Sequence, residues 1–394
     1  MRIMVLGVGQ QGRAAMYDLC RWGDITEVLA ADRDMAGVGA WLEAQAWGRR
    51  VQRAAIDAGD LPAVDRLLTS FRPDLVVDLL PVTLHDGVVA RAVAHGIHVV
   101  HASYVTPRQE ALADQARARG VAILPEFGLD PGLDLVLLGE AVRGLEQVTD
   151  IRSYAAGFPE RTAADNVLQY KVTWNLEGVL RSYRRPARVI RNGRVESIPA
   201  ADIFAPANIH RLPLPGLGDL EAFANGDALR YLSVLNLVGT DLRHLGRYVL
   251  RWPGHTWLWK TLVDMGLLSE EPVVVDGRPV DRLRYLAALL APQLSYGPQE
   301  RDVAVVRVDV TGRRDGQPRR MVLQLTDHRD LDTGLSAMSR TVGFTAAIGA
   351  RLILDGRITR RGVLSAVRDV PFAPLEMELA RQGIHVIRHD SCLD

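Results

Sequence analysis

Residues 2–12 read RIMVLGVGQQG: a short apolar run, then glycine at positions 7, 9 and 12. The run predicts a buried strand, and RAAMYDLCRW after it predicts a helix. EVLAADRD then reads as a second strand ending at Asp32. Strand, glycine turn, helix and strand within about 30 residues are what a dinucleotide-binding fold requires. Gly7 permits the tight turn, Gly9 lets backbone approach a pyrophosphate, and Gly12 lets the helix pack on the strand. The pyrophosphate is expected at the positive helix N-terminus, beside Gln10 and Gln11. Asp32 would accept hydrogen bonds from ribose hydroxyls and disfavour a 2′-phosphate, so NAD is expected. Arg33, next to it, can pair with that phosphate and keeps NADP open.

Outward from this turn the pattern repeats. VQRAAIDAG, with Asp57 near its end, PDLVVDLLP, IHVVHASY and VAILPEFGLDPG read as further strands, and HDGVVARAVAHG and PRQEALADQARARG as helices. Alternating strands and helices predict a doubly wound parallel sheet. Ligands in such sheets bind beyond the strand C-termini. Leu80, Pro81, Ser103, Tyr104 and Glu126 are therefore placed toward the nicotinamide half. His95, His98 and His101 have no metal-ligand spacing and read as packed or exposed side chains, so no metal is expected.

Beyond residue 130 the texture changes. DIRSYAAGF, VAVVRVDV and RMVLQL suggest a mostly antiparallel sheet, and the Asn-Gly of VIRNGRV signals a hairpin. RRDGQPRR reads as a longer hairpin loop. From Gly334 a small-residue helix is expected to pack back on the first domain. The expected organisation is 1–130 for the dinucleotide domain, 131–333 for an inserted α+β domain that holds substrate and can form a dimer contact, and 334–394 for the return.

The 394 residues carry 47 acidic and 47 basic side chains, so no charge imbalance points to nucleic acid. No apolar run is long enough to span a bilayer. The two cysteines, Cys20 and Cys392, match no metal or redox spacing, and no signal peptide is evident, which suits a cytoplasmic protein. A small amino-acid substrate and a homodimer or higher homo-oligomer are expected, with no nucleic-acid or membrane partner.

PEFGLDPGLD (125–134), QYKVTWNLEGVLRSYRRPARVIRNGRV (169–195), LEAFANGDALRYL (220–232), LRWPGH (250–255) and AMSRTVGFTAAIGARLIL (337–354) occur in this order. Together they resemble the saccharopine dehydrogenase-like family over nearly the whole chain. The resemblance implies an oxidoreductase of amino-acid metabolism acting on the amine-bearing carbon of an amino acid. Within the family the runs look most like the lysine 6-dehydrogenase branch, which oxidises the ε-carbon of L-lysine with NAD and releases ammonia. Saccharopine dehydrogenase or reductase and a carboxynorspermidine-type reductase are the alternatives, and an NAD-binding regulator is the non-enzymatic one.

Oxidation at such a carbon needs a neutral amine, and imine hydrolysis needs a second proton transfer. Glu126, Asp130, Tyr104 and Lys171 are the candidate proton-transfer groups, and His255 is a further one. Only two of the 47 basic residues are lysine, Lys171 and Lys260. Lys171 lies between Tyr170 and Trp174 in sequence, where a lysine can lose its proton and an arginine cannot. It is expected to shuttle a proton or to pair with substrate or Glu126. Arg184, Arg251, His255, Trp174 and Arg340 are the candidate substrate contacts, with the RWPGH turn presenting Arg251 and His255.

Overall fold

A computed structural model describes residues 1–393, which divide into two compact units. The first comprises Met1–Glu140 and Ser339–His385; the second comprises Ala141–Met338 and the chain from Val386.

The first unit is built on strands β1 (Arg2–Leu6), β2 (Glu27–Asp32), β3 (Val51–Ala55), β4 (Leu75–Asp78), β5 (His98–His101) and β6 (Ala122–Leu124), joined by β17 (Gly362–Val363). Their order is β17-β6-β5-β4-β1-β2-β3, and every neighbouring pair is parallel. Ile3, Met4, Val5 and Leu6 are completely buried, as a strand covered on both faces must be. From β1 the chain winds outward through β2 and β3, then crosses to β4 on the other side. The order therefore reverses between β1 and β4, the place where such sheets bind ligands. The loops that follow these two strands touch. A Cβ on Gly7, whose φ is +85°, would lie 2.8 Å from the Leu79 carbonyl.

The small-residue helix Ala337–Leu354 is consumed inside this unit. A Cβ on Gly343 would meet the Gln11 carbonyl oxygen at 2.3 Å, and one on Gly349 the Phe127 ring at 2.5 Å. Both glycines are thus packed against residues of the first unit itself. Arg351, on the same helix, is buried with Asp18 (2.5 Å) and Glu378 (3.0 Å), which ties the returning segment to the helix after the glycine turn.

The second unit is one nine-stranded sheet with appended helices. Its strands are β7 (Gln147–Pro159), β8 (Ala187–Arg191), β9 (Arg194–Ile198), β10 (Ile209–Leu214), β11 (Gly218–Ala224), β12 (His244–Arg251), β15 (Asp302–Arg314), β16 (Gln317–His328) and β18 (Val386–Cys392). A separate hairpin pairs β13 (Val273–Val275) with β14 (Arg278–Val280). The main path runs β10-β11-β12-β7-β15-β16-β18, with β8 pairing β12 and β9. All pairs are antiparallel except β12–β7. Both expected hairpins form, but the second is tighter than the longer loop expected of RRDGQPRR, since β15 ends at Arg314 and β16 begins at Gln317. Asn192–Gly193 turns β8 into β9, and Asp315–Gly316 turns β15 into β16, all four residues at positive φ.

The segment 334–394, expected to return as one piece, is divided. Its last strand, β18, pairs antiparallel with β16 and so belongs to the second unit. β16 needs a partner along its outer edge, and β18 supplies seven residues of backbone pairing.

Candidate functional site

The glycine turn lies at the reversal of the first sheet. A Cβ on Gly12 would fall 2.1 Å from the Gly7 carbonyl oxygen, so the first turn of helix Gln10–Leu19 sits directly on the loop. Around Gly9, by contrast, a Cβ would meet nothing within 4 Å. Gly9 is exposed and precedes the first helical turn, leaving an open cradle of backbone amides at a helix N-terminus. These residues fit a dinucleotide pyrophosphate. Asp32 ends β2 and braces the loop: one carboxylate oxygen accepts from Val8 N at 2.6 Å, the other from Asp34 N at 2.9 Å. Arg33 beside it is exposed, as is Gln10. Asp57 lies past the end of β3, where its carboxylate caps Gly59 N in an exposed turn. Leu80 and Pro81 follow β4, within the loop that Gly7 abuts.

Several polar groups gather at the C-terminal edge of the same sheet. Ser103 and Tyr104 follow β5, and both are partly exposed. The Tyr104 hydroxyl donates to Asp130 Oδ1 at 3.3 Å, and Glu126 Oε1 accepts from Val105 N at 3.4 Å. Glu126 is buried, with φ +56°. Its amide bonds the Ser103 carbonyl at 2.9 Å, locking the loop after β6 to the loop after β5. Asp78, His85, His101 and Gln109 lie buried beneath Ser103 in one hydrogen-bonded cluster. Of these only His101 is named from the sequence, as a packed or exposed side chain. A usable signal was Asp78, a carboxylate inside the apolar run VVDLL.

In the second unit, Arg251 ends β12 with its guanidinium buried. It lies 5.0 Å over the Tyr170 ring, donates from Nη1 to the Leu250 carbonyl at 2.8 Å and from Nε to the Tyr183 hydroxyl at 3.4 Å. No carboxylate pairs with it among the described residues. The hydroxyls of Tyr170 and Tyr296 are also buried without hydrogen-bond partners. Burial, Asp302 and Tyr170 push the Tyr296 hydroxyl well above the ordinary phenol range, with Arg251 opposing. A buried unpaired charge is costly, as are orphaned buried hydroxyls. A guanidinium and two hydroxyls left short of partners are groups that a carboxylate can satisfy.

His255, expected as a base or substrate contact, is committed elsewhere. Its Nδ1 donates to the Leu168 carbonyl at 3.1 Å, so its Nε2 accepts from the Tyr183 hydroxyl at 2.9 Å. Burial, reinforced by the Arg251 charge, holds its pKa well below the usual imidazole value. His255 is a fixed neutral acceptor that orients Tyr183, and Tyr183 in turn braces Arg251.

Lys171 is also reassigned. Its Nζ lies 2.6 Å from Glu300 Oε1 and 3.2 Å from Asp165 Oδ1. Burial works to lower its pKa, but the hydrogen bonds to both carboxylates outweigh this and raise it. An ammonium so held does not shuttle protons, and its carboxylates are Glu300 and Asp165 rather than Glu126. Tyr170 is buried, but Trp174 is 48% exposed and lies across Gly178 instead of shielding the amine.

Arg184 is partly exposed with no ion pair among the described residues. Arg340 belongs to the first unit, where it donates to the Gln382 carbonyl at 2.9 Å and stacks on Phe344. Both of these contacts lie within the dinucleotide unit. Tyr183, Tyr296 and Glu300 were not singled out from sequence, because nothing local marks them, and Tyr170 was named only as a neighbour of Lys171. Among the described residues no cluster suits a metal ion, and no helix is long and apolar enough to cross a membrane.

A parallel sheet with a glycine cradle at its reversal, followed by a sheet-built second unit, defines a nicotinamide-dinucleotide-binding protein. Residues 3–124 match the saccharopine dehydrogenase NADP binding domain, and residues 128–384 match the saccharopine dehydrogenase C-terminal domain. The chain belongs to the saccharopine dehydrogenase family.

It is 25% identical over 448 residues to a saccharopine dehydrogenase [NADP(+), L-glutamate-forming] of Saccharomyces cerevisiae, covering 98% of each chain. It is 27% identical over 374 residues to the mitochondrial alpha-aminoadipic semialdehyde synthase of Mus musculus, covering 79% of this chain. It spans only 40% of that longer relative's length. A solved apo saccharopine dehydrogenase (L-Glu forming) from Saccharomyces cerevisiae shares the fold at a TM-score of 0.86, with 24% identity and 99% of each chain covered.

Proposed function

We propose that this protein is an NAD(P)-dependent oxidoreductase acting on a carbon–nitrogen bond of an amino acid. The observation that carries the reading is the buried Arg251 guanidinium, without a carboxylate partner, over the ring of Tyr170, whose hydroxyl, like that of Tyr296, is buried without a partner. An amino-acid carboxylate would satisfy all three groups at once. The names of the relatives favour saccharopine as substrate, a secondary amine with several carboxylates, cleaved to glutamate and a semialdehyde. When bound at the Gly7–Gly12 cradle, the dinucleotide supplies a hydride acceptor. The chain's own residues hold the carboxylate at Arg251, keep Tyr183 oriented through His255, and position Asp32 and Arg33 at the ribose end.

Cofactor choice rests on those two residues. Asp32 spends one lone pair of each oxygen on loop amides, and Arg33 is free to reach a 2′-phosphate. The family's NADP domain fits this arrangement, and use of both cofactors is expected, with NADP preferred.

The test is formation of reduced cofactor from saccharopine, L-lysine or no amine, with glutamate and ammonia assayed. Glutamate from saccharopine supports the proposal. Ammonia from L-lysine replaces saccharopine by oxidative deamination at the ε-carbon, the first expectation from sequence. Cofactor binding with no turnover of any amine refutes the enzymatic reading.

A further inference from the structure

We propose that Ser103, His85 and Asp78 form a proton relay that opens at the Ser103 hydroxyl and serves the amine nitrogen of the substrate. The inference rests on the reading of the chain as an amine oxidoreductase.

The geometry fixes nearly every proton. Asp78, at the end of β4, is completely buried. Its Oδ1 accepts from Leu80 N at 3.1 Å, and its Oδ2 lies 2.8 Å from His85 Nδ1. A carboxylate facing Nδ1 keeps the proton on that nitrogen. His85 Nε2 is then an acceptor in the neutral ring, and Ser103 Oγ lies 2.9 Å from it. Aspartate to Nδ1 and hydroxyl to Nε2 is the connectivity by which a buried carboxylate orients an imidazole to take a hydroxyl proton.

The second histidine locks the arrangement. His101 stacks on His85 at 4.8 Å between centroids. Its Nδ1 accepts from Ser103 N at 3.3 Å, so its Nε2 donates to Gln109 Oε1 at 3.2 Å, and Gln109 Nε2 donates to Asp86 Oδ1 at 3.1 Å. Among the described residues the hydroxyl of Ser103, the partly exposed member, is the outlet of this chain. It stands two residues beyond β5, on the sheet edge that receives the nicotinamide half of a dinucleotide.

The charged groups around His85 set its poise. Burial works to lower its pKa; Asp78, from β4, opposes this by charge and hydrogen bond, Asp86 on its own helix adds to Asp78, and the net direction is upward. His101, from β5, is pushed down to about 4 by burial and then by His85, so it stays neutral. An imidazole held between a buried carboxylate and a hydroxyl is placed to take and to return a proton.

In a turnover, a substrate bound as an ammonium gives one N–H proton to Ser103 Oγ while the Ser103 proton passes to His85 Nε2. The freed nitrogen lone pair forms C=N as the C–H electron pair leaves as hydride to the nicotinamide dinucleotide. The substrate is oxidised by two electrons and the dinucleotide reduced. Water adds to the iminium carbon and releases a proton to solvent. His85 returns its proton through Ser103 to nitrogen; the C–N bond then breaks with its electron pair going to nitrogen, the hydroxyl gives its O–H proton to solvent as C=O forms, and the product amine leaves.

The relay is tested with the full chain, as Ser103→Ala, Ser103→Thr and Asp78→Asn. The first reading is the 15N titration of His85 without cofactor or substrate. Asp78→Asn should move it to lower pH, and Ser103→Ala should change the Nε2 shift; a titration indifferent to both substitutions overturns the relay whatever the substrate is. The second reading is kcat across pH at saturating dinucleotide, with dinucleotide affinity checked in each variant. Ser103→Ala should lose about 10²-fold or more in kcat with KM little changed, and Ser103→Thr should recover much of it. Asp78→Asn should move the acidic limb to lower pH. Parental kcat and an unmoved limb in Ser103→Ala and Asp78→Asn overturn the relay. If the parent oxidises no amine, the enzymatic reading has failed and the relay's role at an amine falls with it, even where the imidazole titration responds.

Discussion

The Tyr183 hydroxyl bonds His255 Nε2 at 2.9 Å, and the bond has one direction. His255 Nδ1 is occupied as donor to the Leu168 carbonyl, so the tyrosine must donate and its oxygen is left to accept from Arg251. The guanidinium is thereby braced by a neutral group instead of a carboxylate, and its charge remains available to a ligand.

Replacing Arg251 should therefore separate function from stability. Arg251→Met is expected to raise KM for a carboxylate-bearing amine roughly 10- to 100-fold, from loss of a charged hydrogen bond worth about 1.5–3 kcal/mol. Its urea midpoint should not fall, because an unpaired buried charge is removed. An unchanged KM together with a lower midpoint would identify Arg251 as a structural cation.

Tyr183→Phe leaves His255 Nε2 without its donor and Arg251 without its brace. The expected result is a several-fold rise in KM with dinucleotide affinity unchanged. Steady-state kinetics and cofactor titration on one preparation decide it, and parental KM would show that Tyr183 serves only packing.

For Lys171 the structure predicts a charge requirement. Lys171→Arg should keep most of the activity and stability, and Lys171→Met should lower the urea midpoint. The sign follows from the shifts. Glu300 and Asp165 are lowered, chiefly by their hydrogen bonds to Lys171, so their contribution is present above the unfolded carboxylate range and is lost as pH falls through the depressed values. Lys171 is raised, so its contribution is present below about 10.4 and is lost as pH climbs through the folded value. Parent and Lys171→Met should thus differ most between about pH 5 and 10 and converge in acid. Equal midpoints across that window would refute the ion-pair role.

The glycine cradle yields a paired test. Gly9→Ala adds a methyl group that touches nothing in the chain, so the protein should fold normally and bind dinucleotide more weakly. Gly12→Ala forces a carbon to 2.1 Å from the Gly7 carbonyl oxygen and should destabilise by about 1–3 kcal/mol. Normal dinucleotide affinity in Gly9→Ala would place the pyrophosphate elsewhere.

Arg33→Ala should weaken NADP binding by about tenfold or more and leave NAD nearly unaffected, since only the 2′-phosphate distinguishes them. Isothermal titration with both cofactors measures this directly. Equal losses for both would remove Arg33 from the phosphate site.

What the sequence determined by itself was local. A buried apolar strand feeding GVGQQG, and the Asn192–Gly193 turn, state their conformations in a few adjacent residues, because strand periodicity and positive φ are properties of short segments. The parallel sheet, the second sheet-built unit and the family were legible for that reason. The tertiary structure decided the partners. Lys171 meets Glu300 from 129 residues away, and Arg251 meets Tyr183 from 68. Whether a lysine between aromatics sheds its proton depends on the carboxylates that the fold brings to it, and no local pattern records their arrival. The same holds for His255, silenced by a carbonyl 87 residues earlier, and for β18, which left the returning segment to complete the edge of a distant sheet. Side-chain charge and hydrogen-bond direction are set by neighbours in space, and only the folded chain supplies them.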